Sequence, residues 1–209
     1  MSRTPIRFYR HALSGHCQRV ETMMSMLELP YEAIDVDLAN GAHRHAEYLE
    51  LNAFGQVPVI DDEGTVVADS NAILVYLARR YGDARWLPVD ALGEALVQRW
   101  LSVAAGQIAF GVAAARLVTV FGAPLDAAGA IVRGHASLAV MEKELSGRHF
   151  LAADHATIAD LACASYVAHA PEGNVSLADY PNVRAWLERV QALPRYVKMP
   201  VSRAGLMAA

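Results

Sequence analysis

The chain has 209 residues, 54% of them hydrophobic and 19% charged, a balance that excludes a disordered chain and suits one large domain or two modest ones. Its net charge of −4 is uneven, with 7 Lys and Arg against 11 Asp and Glu in residues 1–81 and 11 of each beyond; without a basic stripe, nucleic acid is not expected as a partner. Two cysteines far apart, Cys17 and Cys163, make no disulfide framework, and no apolar stretch is expected to approach bilayer length or to form a signal-peptide core, so a soluble, cytoplasmic protein without a membrane partner is expected.

Ile6-Arg7-Phe8-Tyr9 alternates as a short strand does, and Gln18 to Leu29 carries Val20, Met23, Met24 and Leu27 at helical spacing until Pro30 stops it. Tyr31 to Asp37 alternates again, so the first 37 residues form a β-α-β unit with parallel strands. A short helix around Ala46 to Leu51 follows. Val57-Pro58-Val59-Ile60 is an apolar strand whose proline belongs at its start, in cis or trans, because proline has no ladder donor. Asp61-Asp62-Glu63-Gly64 supplies a turn, Thr65 to Ala68 returns as a β-branched strand, and Asp69-Ser70 caps the helix that contains Ile73, Leu74 and Leu77. The order β-α-β-α-β-β-α resembles a thioredoxin-like α/β domain, an analogy of fold that carries no chemistry.

Composition shifts at residues 82–88, which read as a linker between a domain spanning 1–81 and one spanning 89–209. No strand pattern is evident in the second part. Helical segments run from about 90 to 121 and from about 125 to 146, broken at Gly122-Ala123-Pro124; Thr157-x-x-Asp160 is a capping box, and Pro181 opens a last helix. An all-α helical bundle is expected.

The stretch from Asn52 to Asn71, with its proline-started strand, tight hairpin and acid-serine helix start, resembles the glutathione-binding half of the glutathione S-transferase family. Upstream, Phe8 to Val20 is similar to the family's first strand and the loop that carries its activating hydroxyl or thiol, and Asp37 to Arg44 to the loop after its second strand. Pro181 to Leu187 and the helices before it are similar to its C-terminal domain. The resemblance covers nearly the whole chain.

It implies glutathione as co-substrate, no metal, a small hydrophobic electrophile as second substrate, and a homodimer. Ser70, with the N–H groups that open its helix, would take the γ-glutamyl carboxylate, and Asp69 the amine; both are also ordinary capping residues. Val57, beside Pro58, would pair with the cysteinyl backbone, Gln56 would serve a peptide carboxylate, and His43 would face the glycine carboxylate. As plain sequence, Gln56 and His43 are solvated loop residues, and His43-x-His45 is at most half a metal site.

The thiolate donor implied is Ser14, in Leu13-Ser14-Gly15-His16-Cys17, whose hydroxyl would lower the glutathione thiol pKa from about 8.5. Tyr9 is expected inside the strand. Cys17 is the rival, because Ser14-x-x-Cys17 also reads as a redox motif whose first cysteine is replaced; a buried, inert thiol is its plain reading. The resulting expectation is transfer of the glutathione thiolate to a hydrophobic electrophile. Two alternatives stay open: another glutathione-dependent enzyme, a disulfide reductase, dehalogenase or isomerase using Cys17, and a non-enzymatic binding module.

Overall fold

Alternation along β1 (Ile6–Arg10) buries Ile6 and Phe8 and leaves Arg7 outside, as a strand inside a sheet requires. The computed structural model describes residues 3–208. β1 pairs in parallel with β2 (Tyr31–Asp35) and antiparallel with β3 (Val59–Asp62), which pairs antiparallel with β4 (Thr65–Ala68), giving the order β2-β1-β3-β4. α1 (Gly15–Met26) connects β1 to β2, α2 (Ala46–Leu51) precedes β3, and α3 (Ser70–Tyr81) follows β4.

Several boundaries differ from the sequence expectation: β2 ends at Asp35, β3 starts at Val59, α1 ends at Met26, and two further differences have a clear local cause. α1 starts three residues before Gln18 because Ser14 caps it, its Oγ accepting the Cys17 N–H at 3.3 Å. The hairpin turn is Glu63-Gly64 alone, both at positive φ, and Asp61 and Asp62 belong to β3. Asp62 is buried and accepts the hydroxyls of Tyr76 and Tyr81, which fastens α3 to the sheet.

By contacts the chain divides after Ala84 into two units, and Pro194–Met199 belongs with the first of them, so the segment expected wholly in the helical part returns to the sheet domain. There the Val197 carbonyl accepts hydrogen bonds from Gln18 and Thr22 of α1. A change of composition marks where a linker starts, but a short returning segment carries no such mark.

The second unit is helical, with no strand among its described residues: α4 (Ala91–Val103), a π-helical stretch (Ala104–Ala113), α5 (Ala114–Phe121), α6 (Ala127–Glu144), α7 (Ile158–Val167) and α8 (Pro181–Gln191). The 31-residue run from Ala91 to Phe121 is long and apolar enough to span a bilayer by length and composition, which corrects the expectation that no such stretch exists. Within this unit the run packs on α6 and α7, with Trp100, Ala104, Ile108 and Val112 buried, as the central helix of a bundle does. Arg116, at its far end, is buried in an ion pair with Glu172 at 2.7 Å.

α7 begins at the expected capping box. Asp160, fully buried, accepts the Thr157 N–H at 2.9 Å, the Leu151 N–H at 3.0 Å and the Trp186 Nε1–H at 2.9 Å, so one carboxylate joins a loop, α7 and α8. Asp160→Ala leaves these donors without an acceptor and is expected to cost about 3–5 kcal/mol, read as a large drop in denaturant midpoint. An unchanged unfolding curve would contradict this account of the bundle.

Candidate functional site

In the first unit Leu51, Val57 and Ala68 pack on a buried cluster of Val36, Tyr48 and Val59, and the same Leu51, Val57 and Ala68 also line a groove of about 510 Å3. Gln56, Val57 and Pro58 line one side of it, and Asp69, Ser70 and His16 line another. Asn52 and Phe54 also face the groove.

The Val57-Pro58 peptide bond is cis, and the sheet ladder begins only at Val59. The backbone just before it is fixed: the Gln56 carbonyl accepts both the Tyr48 hydroxyl at 2.9 Å and the Asn52 Nδ2–H at 2.8 Å, while Asn52 Oδ1 accepts the Phe54 N–H at 3.0 Å. Gly55 has φ 58°, and a Cβ there would lie 2.8 Å from the His43 carbonyl oxygen, so only glycine lets this loop rest on the 3-10 turn that holds His43.

The start of α3 is unusual. Asp69 is its N-cap with φ 73°, a region that L-residues seldom occupy, and its Oδ1 accepts the N–H groups of Asn71 at 2.9 Å and Ala72 at 3.0 Å. Two of the N–H groups that sequence reasoning assigned to a ligand carboxylate are thus taken by the cap, and the donors that remain at this helix start are those of Ser70. The Ser70 hydroxyl, almost fully buried, stands 3.1 Å from His16 Nδ1 and accepts from Arg19 Nη1 at 3.4 Å; Arg19, also buried, donates to Asn71 Oδ1 at 3.0 Å. Burial, with the Arg19 charge as a lesser cause, pushes the His16 imidazole down to about 3, which keeps it neutral across the neutral range.

Ser14 is half-buried, at the N-terminus of α1. Cys17 is buried, its sulfur accepting the His11 N–H at 3.4 Å, and burial pushes its thiol up to about 11 despite hydrogen bonds to Ser14 and His11. Tyr9 lies inside the strand, partly buried against Tyr48 on the face opposite Phe8.

Of the seven residues singled out in the sequence, the groove brings together Gln56, Val57, Pro58, Asp69 and Ser70; Ser14 and His43 are not part of its lining. His43 is half-buried on its turn, with Arg44 and His45 exposed beside it. No three of His, Cys, Asp and Glu converge as metal ligands among the described residues. Sequence reasoning missed Tyr48, Asn52, His16 and Arg19. His16 and Arg19 carry no local signal, because their partners Ser70 and Asn71 lie more than 50 positions away, whereas Tyr48 and Asn52 stand within eight residues of the Gln56 carbonyl that they hold.

Comparison with known proteins bears on the fold and the family. Residues 13–80 match the family model for the glutathione S-transferase N-terminal domain and residues 130–194 the model for the C-terminal domain. The chain is similar to glutathione S-transferase 3 of Zea mays, at 33% identity over 93% of this chain and 92% of that one. A crystal structure of a glutathione S-transferase from Pseudomonas fluorescens superposes with a TM-score of 0.89 at 33% identity, covering 94% of this chain and 99% of that one. A glutathione transferase homologue from Drosophila mojavensis with bound glutathione gives a TM-score of 0.84 at 28% identity over 92% and 90% of the two chains.

The Cys17 thiol has a direct test. A free thiol near 8.5 is about one-tenth ionised at pH 7.5, and one near 11 far less, so alkylation of Cys17 in the folded protein is expected to be roughly a hundredfold slower than in urea. Its rate should keep rising with pH well beyond 9. Rapid alkylation at neutral pH, with a plateau near pH 8, would contradict the buried, protonated assignment.

Proposed function

The chain belongs to the glutathione S-transferase family, and we propose that it binds glutathione in the groove beside Pro58 and transfers its sulfur to a hydrophobic electrophile, with Ser14 donating to the thiolate. The observation that carries this reading is the meeting, in one groove, of the Val57-Pro58 bend with the Asp69-Ser70 helix start.

In this reading Ser70 donates to the γ-glutamyl carboxylate through its hydroxyl and its N–H, aided by the positive end of α3. Asp69, whose Oδ1 is engaged by the helix, turns its other oxygen to the γ-glutamyl amine. Val57 pairs with the cysteinyl backbone as an added strand would. Gln56 serves a peptide carboxylate, and His43 the glycine carboxylate; support for the latter is the packing of its turn against Gly55, next to Gln56.

Ser14 is the sulfur's donor. Its oxygen accepts the Cys17 N–H, which orients the hydroxyl, and the N–H groups that open α1 favour negative charge nearby. The thiol gives its proton to solvent; the thiolate then forms a C–S bond to the electrophilic carbon as the leaving group departs with its electron pair, or as the pair moves onto a conjugated acceptor. Orientation and charge stabilisation are the protein's contributions. Cys17 is ill suited to mixed-disulfide chemistry, because its thiol is buried and held protonated.

A homodimer in the cytoplasm completes the reading. Val132 and Val140, exposed on one face of α6, are apolar surface that a second copy would cover.

The test is turnover of an aryl halide with glutathione. Ser14→Ala is expected to lower kcat roughly a hundredfold, the usual effect of losing one donor to a developing anion, while Cys17→Ala stays near wild type. Wild-type turnover in Ser14→Ala would remove the hydroxyl from the mechanism.

A further inference from the structure

Ser70 is asked to give a proton to a carboxylate, yet a serine hydroxyl has one proton and two lone pairs, and it turns its proton to whichever neighbour can accept it. What stands behind it therefore decides what it offers the groove. Arg19 Nη1, 3.4 Å from Ser70 Oγ, can only donate and so occupies one lone pair. His16 Nδ1, at 3.1 Å, is the deciding atom. If Nδ1 is bare, it takes the Ser70 proton, and Ser70 shows the groove an oxygen lone pair, which suits an amine. If Nδ1 carries the proton, it fills the second lone pair, and the Ser70 O–H has to point to a third partner.

We infer that His16 is a positioning residue: its imidazole, in the Nδ1–H tautomer, and Arg19 together fill the acceptor sites of Ser70 and make its hydroxyl an obligate donor to a carboxylate in the groove. His16 itself lines that groove, so the device stands at the ligand site and not in the core behind it. Three features make the place of that proton consequential. The Asp69 carboxylate takes the N–H groups of Asn71 and Ala72, which leaves Ser70 as the main receiver of a carboxylate. The imidazole, kept neutral by burial, has one proton to place on either nitrogen and adds no charge of its own. Arg19 is committed to Asn71 at 3.0 Å as well, so it cannot by itself saturate Ser70. Selection of a γ-glutamyl group thus rests on a neutral histidine from α1, outside the helix that carries the serine.

The inference rests on the reading of Ser70 given above, and a ligand pair separates the two. Glutathione is compared by calorimetry with γ-aminobutyryl-cysteinyl-glycine, which keeps the amine and lacks only the γ-glutamyl carboxylate. Ser70→Ala tests the reading: it should weaken glutathione and leave the analogue nearly unchanged. His16→Leu tests the inference: glutathione Kd is expected to rise about tenfold, the effect of misdirecting one hydrogen bond to a charge, with less than a twofold change for the analogue. His16→Asn, which can keep an N–H toward Ser70, should recover most of the lost affinity.

If His16→Leu weakens both ligands equally, or neither, while Ser70→Ala discriminates between them, His16 is structural and the inference falls alone. If Ser70→Ala does not discriminate, both fall. A readout without substitution stands beside these: the ring 15N shifts of His16 in the wild-type complex with glutathione should report a protonated Nδ1, and a protonated Nε2 with bare Nδ1 would overturn the proposal whatever the variants do.

Discussion

A helix start leaves N–H groups that something must accept, and at α3 the Asp69 side chain accepts two of them itself. That single choice organises the groove. It holds Asp69 at a backbone angle that few residues adopt, and it makes Ser70 the donor at the helix end. The second ring of contacts, His16 and Arg19 from α1, then converges on the Ser70 hydroxyl, with Arg19 also donating to Asn71. A helix dipole provides a general attraction for anions; in the proposed arrangement the capping aspartate and the histidine turn that attraction into a directed bond.

The opposite wall is governed by a different constraint. A strand that starts with proline has no donor there, so its ladder begins at Val59, and the peptide before it needs other support. Tyr48 and Asn52 supply it by both donating to the Gln56 carbonyl, while Gly55 lets the loop touch the turn of His43. The groove is consequently lined by two hydrogen-bonded edges together with the apolar Leu51 and Ala68. Edges of this kind offer polar groups at several points, which suits a ligand held along its length over one held at a single charge.

Much of this was legible in the sequence because it rests on local rules. Alternation gave Ile6 to Tyr9 as a strand, a proline marked where β3 starts, Asp69-Ser70 marked a helix end, and Thr157-x-x-Asp160 marked another. Much of what escaped is contact between residues distant in the chain. His16 and Ser70 are 54 positions apart, and nothing in either neighbourhood announces the other. Asp62 looked like a turn residue, as aspartates before a glycine do, until Tyr76 and Tyr81 placed it in the interior. The run from Ala91 to Phe121 was read as an ordinary helix although its composition also fits a membrane span; burial against α6 and α7 is a property of the partners and not of the run. The relation between Ser14 and Cys17 was visible as spacing, but whether the thiol is reactive depends on burial, which spacing does not encode.

On the proposed reading this groove both holds glutathione and stabilises it as a thiolate. Ultraviolet difference absorbance of the thiolate, followed while glutathione is titrated into the pure protein near neutral pH, tests it most directly. A saturable thiolate band, present at a pH where free glutathione is largely protonated, is the predicted result. Binding measured by calorimetry without that band would contradict the claim, since the groove would then hold the peptide without preparing its sulfur for attack.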